Sequence, residues 1–244
     1  MHDVHCHLDL YDDPYAVARA TEAQGLFSIA VTNLPSAYSK AAPHMRPFKH
    51  WRLALGLHPL LAEHHTVHER KLFATLLDET SYVGEVGLDF SPEGTTTKDA
   101  QIDTLRFVLS LLKTKHKVVS VHSRRAENAV LDLLSESGVS PVVFHWYSGP
   151  LLTLDRILAR GHYFSVNPSM LRSNQGKRVI ERMSPSRVLT ETDGPFVRVA
   201  GRPAIPSDVA QVQEFLAACW RRPSESVASQ LSENLATLLA AQDH

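Results

Sequence analysis

A (β/α)8 barrel, or a near relative of it, is the fold class this sequence predicts, and three observations carry that prediction. Short apolar, β-branched runs alternate with longer stretches at helical spacing. Eight such runs fit into 244 residues, a length that one α/β barrel fills as a single unit. Several runs, VVFH and KVVSVH among them, are nearly all apolar, as strands covered on both faces of a parallel sheet must be. The expectation is one domain, residues 1–244. An open doubly wound sheet is the alternative, but no GxGxxG turn follows the first run.

The expected strands are Asp3–His7, Phe27–Thr32, Trp51–Gly56, Tyr82–Val86, Val118–His122, Val142–His145, Tyr163–Val166 and Val188–Glu191. The helical pattern Asp13–Gln24 stops at Gly25, a C-terminal signal. Asp99–Lys115 repeats apolar residues at Ile102, Leu105, Val108, Leu109 and Leu112, and Ala126–Ser137 ends at Gly138. Two more helices, about Ser207–Trp220 and Ser224–Ala241, close the chain, each with a serine ahead of it that suits a cap. The stretches Glu63–His68, Ser91–Thr97 and Arg198–Pro206 read as loops. There is no internal repeat and no low-complexity tract.

Composition narrows the function. Lys+Arg is 25 against 26 for Asp+Glu, a formal net charge of −1. Bulk charge therefore attracts no polyanion; such a partner has to be held by a local basic patch or by bound cations. Two cysteines, Cys6 and Cys219, make neither a disulfide framework nor a CxxC site, which points to a reducing compartment. No charged segment followed by an apolar core opens the chain, and no apolar run approaches ~18 residues. A cytoplasmic protein is expected.

The 14 histidines direct attention to the strand ends. The first strand ends in VHCH, the third runs into GLHP, the fourth is GEVGLDF, the fifth VHSR, the sixth FHWYSG and the eighth TETDGPF. In a barrel these ends meet at one face, where active sites are built. Residues two apart on a strand point the same way, so His5 and His7 face the interior and Cys6 faces outward. Buried charges without partners are expensive. Imidazoles with carboxylates are, however, the ligand set of divalent ions such as Zn²⁺, Mn²⁺ or Fe²⁺. His5, His7, Glu85, His122, His145 and Asp193 are the candidates. Six ligands are easier to assign to two ions than to one, with a bridging carboxylate and an activated water.

Each motif alone has an ordinary reading: a polar pair near the terminus, a core histidine with a satisfied hydrogen bond, a carboxylate capping a helix. Their order along five strand ends is what favours a metal centre. His58 contacts substrate or packs a loop; Arg124 grips a phosphate or pairs with a carboxylate. His64, His65 and His68 read as a solvated face. Trp146 and Tyr147 stack on a base or pack beneath the rim, and Arg221 and Arg222 read as surface charge.

Taken as an ordered set, DVHCHLDL, GLHP, GEVGLDF, VHSR, FHWYSG and ETDGPF resemble the TatD-type metal-dependent deoxyribonucleases of the amidohydrolase superfamily, from residue 3 to about 196, with a weaker echo in ENLATLL. That resemblance implies a TIM barrel with two divalent ions (Mg, Mn or Zn), sometimes three. His5, His7, Glu85 and Asp193 would hold one ion. Glu85 would bridge to a second, held with His122 and His145, and His58 and Glu191 would sit in the outer part of the site. DNA would be the substrate, cut from an end of a single strand. Asp193 would take the proton of the attacking water as general base, with Glu85 the other catalytic carboxylate, while Arg124 and His58 steady the phosphate or leaving group. The sequence departs from the family pattern at Trp146-Tyr147, at Asn167-Pro168, in GRPAIP, which lacks the usual asparagine, and after Asn234. These departures bear on substrate preference, not on the metal positions. The short form also resembles the TatD-like component of bacterial phage-defence systems, which would bring partners from a defence operon. Two rival readings keep the barrel: hydrolysis of small amides, esters or phosphoesters, and a scaffold subunit.

Overall fold

The computed structural model describes residues 1–241; the last three residues of the expected 1–244 unit lie outside that range. The strands β1 (His2–Cys6), β2 (Phe27–Val31), β3 (Trp51–Leu57), β4 (Tyr82–Gly87), β5 (Val118–His122), β6 (Val143–His145), β7 (Tyr163–Val166) and β8 (Val188–Thr190) pair in chain order, each parallel to the next. At the join, the Asp193 N–H donates to the His5 carbonyl (2.9 Å) and the His7 N–H to the Gly194 carbonyl (2.8 Å), so β8 and β1 lie side by side and the barrel is nearly closed. The expected strand bounds hold to within one residue.

The helices are α1 (Pro14–Ala23), α2 (Pro35–Met45), α3 (Val67–Leu76), α4 (Lys98–Leu112), α5 (Glu127–Ser137), α6 (Leu151–Ala159), α7 (Asn174–Arg182), α8 (Val209–Trp220) and α9 (Ser224–Ala240). Four of them, α2, α3, α6 and α7, stand where the sequence pattern names none. The Glu63–His68 stretch is only partly a loop: a 3-10 turn, Pro59–His64, runs into α3, whose first turn is capped by the Thr66 hydroxyl accepting the Glu69 N–H. The serine caps expected for the last two helices are absent; Asp208 and Pro223 stand at those positions and no side chain caps either helix. Within Arg198–Pro206 a short hairpin forms, β9 (Arg198–Val199) against β10 (Arg202–Pro203).

The strands are layered. Val4, Ile29, Ala54, Tyr82, Val118, Val143, Tyr163 and Leu189, one from each strand, form an apolar floor, closed by Leu238 of α9. Two residues further along β5, β6, β7 and β8 the same face carries Ser120, His145, Ser165 and Glu191. The polar change of this face is what builds the site. Between sheet and helices a second, larger cluster, including Leu55, Phe73, Val121, Phe144, Val179 and Leu216, forms the main core. Among the described residues no helix is long and apolar enough to cross a membrane.

Candidate active site at the barrel mouth

Glu85 is the hub. It is buried at the end of β4, and its two oxygens face different sets of imidazoles. Oε2 lies 3.3 Å from His5 Nε2, 3.2 Å from His7 Nε2 and 3.4 Å from His58 Nε2. Oε1 lies 2.6 Å from His122 Nδ1 and 2.8 Å from His145 Nε2. Asp193 closes the first side, its Oδ1 3.6 Å from His5 Nε2 and 3.5 Å from His7 Nε2. Asp193 sits at φ +50°, a left-handed conformation that aspartate tolerates better than most side chains.

Each ring is held from behind. His5 Nδ1 meets the Ser120 hydroxyl at 2.8 Å, and its ring stacks on His145 at 3.9 Å between centroids. His58 Nδ1 accepts the Leu60 N–H (3.2 Å), so a neutral His58 carries its proton on Nε2, aimed into the site. His122 Nε2 bonds Asp89 Oδ2 at 2.8 Å, and Asp89 Oδ1 accepts the Ser91 N–H. Gly87 lets β4 pass this close: at φ +144°, a Cβ there would stand 2.0 Å from the His122 carbonyl oxygen. Cys6 faces outward as expected, packed with Leu8, Ala18, Ala30 and Trp51. β1 is irregular between Asp3 and Cys6, and Asp3 turns to Thr192, accepting its N–H (2.9 Å) and its hydroxyl, which ties the two strands that frame the site.

Glu191 departs from expectation. It does not lie in the outer part of the site but beneath it, fully buried, accepting from Asn167 Nδ2 (2.9 Å), the Trp146 N–H (3.0 Å) and the Ser165 hydroxyl (2.5 Å), with Oε1 3.7 Å from His145 Nδ1. His58 is in contact with the hub rather than outside it. Arg124 reaches the rim, half exposed, 3.4 Å from Glu93. His64 and His68 lie on the surface, but His65 does not: it is buried, with Nδ1 3.1 Å from the Thr104 hydroxyl. Asp89 escaped the sequence reading, although GEVGLDF contains it. An open cavity of about 520 Å³ stands over the centre, walled by His58, Asp89, Arg124, Trp146, Asp193 and Phe196.

The charges follow from this packing. Burial lowers His5 to a pKa of about 4, the neighbouring His145 adding to the effect. Burial would lower His7 too, but the carboxylates of Asp193 and Glu85 close to its Nε2 overrule it and lift the ring to about 9. His145 is likewise raised well above its usual value against burial, by Glu85 and Glu191. Burial pushes Glu85 up, yet His58, His145 and His5 together hold it well below the carboxylate range. The cluster thus keeps Glu85 ionised by protonating some of its imidazoles. A divalent cation supplies the same positive charge. Several buried atoms here also lack a hydrogen-bond partner: His5 Nε2, His7 Nδ1, His145 Nδ1 and Asp193 Oδ1. Three sets of groups bring their ligand atoms within 4.8 Å of one another: His5, His7 and Asp193; His5, His145 and Glu191; His58, Glu85 and His122. Buried, convergent and short of partners, this donor set fits divalent metal.

Residues 2–240 match the family model described as TatD related DNase. The chain belongs to that family. It is 30% identical over 215 residues to the human Deoxyribonuclease TATDN3, covering 79% of this chain and 77% of that one. It is 26% identical over 245 residues to the uncharacterized metal-dependent hydrolase YabD of Bacillus subtilis, covering 95% and 96%. The crystal structure of YJJV, a TatD homolog from Escherichia coli, superposes with a TM-score of 0.88 at 26% identity, over 98% of this chain and 97% of the other. As a TatD-family member, the chain is a metal-dependent hydrolase built on a TIM barrel, and the clustered imidazoles and carboxylates are where its fold offers metal ligands.

Proposed function

We propose that this TatD-family protein hydrolyses DNA phosphodiester bonds at the barrel mouth, with two divalent ions shared across Glu85. The observation that carries the reading is the divided hub: one carboxylate whose two oxygens face two separate groups of imidazole nitrogens. His5, His7 and Asp193 would serve one ion, and His122 and His145 the other. When bound, such ions polarise phosphate oxygens and lower the pKa of water. They also supply the cationic charge that a chain of net −1 lacks in bulk.

The protein groups do the rest. Asp193, buried but open to the cavity, accepts the proton of the attacking water as general base. His58, its Nδ1 occupied by Leu60, presents Nε2–H to a phosphate or leaving-group oxygen. Arg124, on the rim, meets the phosphate by charge. Glu191 positions rather than touches substrate: through Asn167, Ser165 and the Trp146 N–H it fixes β7 against the sixth-strand turn, below His145. A cytoplasmic place of action, supported by two cysteines that make no disulfide framework, and partners from a bacterial defence operon, suggested by the motif resemblance alone, extend the reading. The operon reading fails if the purified chain binds none of the other proteins of such an operon.

The test is direct. Protein saturated with Mn²⁺ or Zn²⁺ is analysed for metal and incubated with labelled single-stranded DNA, duplex DNA and a panel of amides and esters. Two ions per chain and DNA cleavage are expected. Cleavage of the amide panel alone, or no bound metal, overturns the proposal.

A further inference from the structure

The rim of the cavity is not uniform. One side carries two aromatic rings that the metal chemistry does not require. Phe196 is among the few large apolar side chains left exposed, at 60%, and its ring stands edge-on to His7, 4.9 Å between centroids. Trp146 lines the same cavity, half-buried, at φ +38°, a conformation costly for a bulky residue. The turn is held in that shape from two sides. The Trp146 N–H is bonded to buried Glu191, and Val197, Val199 and Ala204, in and beside the hairpin, pack against Trp146. Gly149, at the end of the same turn, abuts Glu127 so closely that a Cβ would lie 2.6 Å from its carboxylate carbon. An exposed phenylalanine and a tryptophan held in a strained backbone are thus fixed beside the catalytic centre, in a cavity of about 520 Å³, within the ~300–1,000 Å³ of small-ligand sites.

Two residues beyond Phe196 comes Arg198, exposed, whose guanidinium bonds only the Gly201 carbonyl; Arg172 bonds the Arg198 carbonyl. Among the described residues neither arginine has an ion pair. Aromatic rings at the cavity, with unpaired cations on the hairpin that follows Phe196, suit an unstacked nucleotide: a surface for the base and charge for the phosphates of its strand.

We propose that Phe196 and Trp146 form a base platform on which one unstacked nucleobase of a single DNA strand lies, immediately beside the phosphate to be cut. The proposal rests on the hydrolysis reading above and deepens it. A base within duplex remains stacked and paired, so the platform selects for single strands or frayed ends. It does so by stacking, which is tolerant of base identity.

Two measurements test it, both on full-length protein loaded with Mn²⁺. In the first, a single-stranded oligodeoxynucleotide is compared with copies carrying one abasic residue at successive positions. For wild type, an abasic residue next to the cut is expected to raise KM about 5- to 100-fold with little change in kcat. In Phe196→Ala the intact strand should suffer that rise and the abasic strand little more, whereas Phe196→Tyr restores the discrimination. If Phe196→Ala loses the same factor on both strands, the ring serves only to pack His7, and the platform is refuted. In the second, a cleavage-resistant phosphorothioate strand is titrated while tryptophan fluorescence is followed. Wild type should show quenching that Trp146→Phe abolishes. Cleavage with neither quenching nor an abasic penalty removes the platform and leaves the hydrolase. Quenching without cleavage removes the hydrolysis reading and leaves the platform. Absence of both removes both.

Discussion

Asp89 offers the sharpest test of how the centre is organised, because a single atom changes its role. Its carboxylate is fully buried; burial pushes its pKa up, but the bonds from His122 and Ser91 win and hold it at about 2. It is therefore an anion, accepting from Ser91 N–H through Oδ1 and from His122 through Oδ2. That fixes one His122 proton on Nε2, so Nδ1, 2.6 Å from Glu85 and 3.3 Å from His145, gives up the proton it shares with Glu85 and would offer its lone pair when a cation binds. In Asp89→Asn the Ser91 N–H keeps the oxygen, so the amide NH2 replaces Oδ2. It donates to His122 Nε2, the proton moves to Nδ1, and the face presented to the centre becomes a donor, useless to a cation. Loss of a carboxylate behind a ligating histidine costs metal affinity about 10–100-fold, equivalent to ~1.4–2.7 kcal/mol. Calorimetric titration with Mn²⁺ reads this directly, and one class of site should weaken while the other holds. Asp89→Glu does not restore the geometry, since Gln101 and the Ser91 turn fix the backbone here. Unaltered affinity at both sites in Asp89→Asn would refute the tautomer argument and with it the assignment of His122 to an ion.

Other outcomes follow from the same geometry. Glu85→Ala and Asp193→Ala are expected to abolish DNA cleavage while His64→Ala leaves it intact, and the double variant should be no worse than either single one, because the two carboxylates act as a unit; wild-type rates in Glu85→Ala would remove the two-ion mechanism. Arg124→Ala should weaken single-strand binding and flatten its salt dependence by ~0.7 in the logarithmic slope, with metal content and melting temperature unchanged, since its Glu93 pair is exposed and worth little; a lowered melting temperature with unchanged affinity would place Arg124 in the scaffold instead. Metal uptake near neutral pH should release protons, because His7, held at about 9, is charged before the ion arrives and neutral after it; calorimetry in buffers of different ionisation enthalpy reads the number, and no buffer dependence would contradict the charge state. His2, His65 and His162 are buried and lowered, chiefly by burial, to about 3, 4 and 4 from 6.5. At these three rings the unfolded chain binds protons that the folded one refuses, so their contribution to stability should be intact above about pH 6.5 and be lost steadily as the pH drops toward 4. A flat urea midpoint across that range would contradict their burial.

What the sequence made legible was decided by periodicity. Along β5, VVSVH repeats one face at Val118, Ser120 and His122, so alternation alone places His122 on the inward face at the end of the run. The same parity put His5 inward and Cys6 outward. Parity fails where a strand is irregular or has ended. Asp89 lies past Gly87, in a turn whose direction no alternation predicts, and so it went unassigned while Glu85, four residues earlier, did not. Glu191 shows the other limit: its face was readable, its depth was not, because depth depends on Asn167 and Ser165 reaching it from β7. Helices were lost for compositional reasons. α2 (PSAYSKAAPHM) begins with Pro35 and contains Pro43, and the histidines ahead of α3 disguised its start as a loop.

The near-neutral chain and the expected polyanion are reconciled by where the charges sit. A protein that binds DNA by bulk attraction spreads lysine and arginine over a face and loses affinity steeply with salt. Here five imidazoles surround one carboxylate in a buried centre, and only scattered arginines stand at the rim. Bound ions would supply the positive potential, at a buried cluster where each charge counts for more than it would on the surface. Two consequences can be separated experimentally. Without metal, the chain should bind DNA weakly at any salt concentration. With metal, affinity should be gained chiefly at the one phosphate that reaches the centre, so binding should depend on cation concentration far more than on strand length. If affinity for metal-free protein grew with each added nucleotide, the polyanion would be held by an extended surface, and the barrel mouth would not be the principal binding determinant.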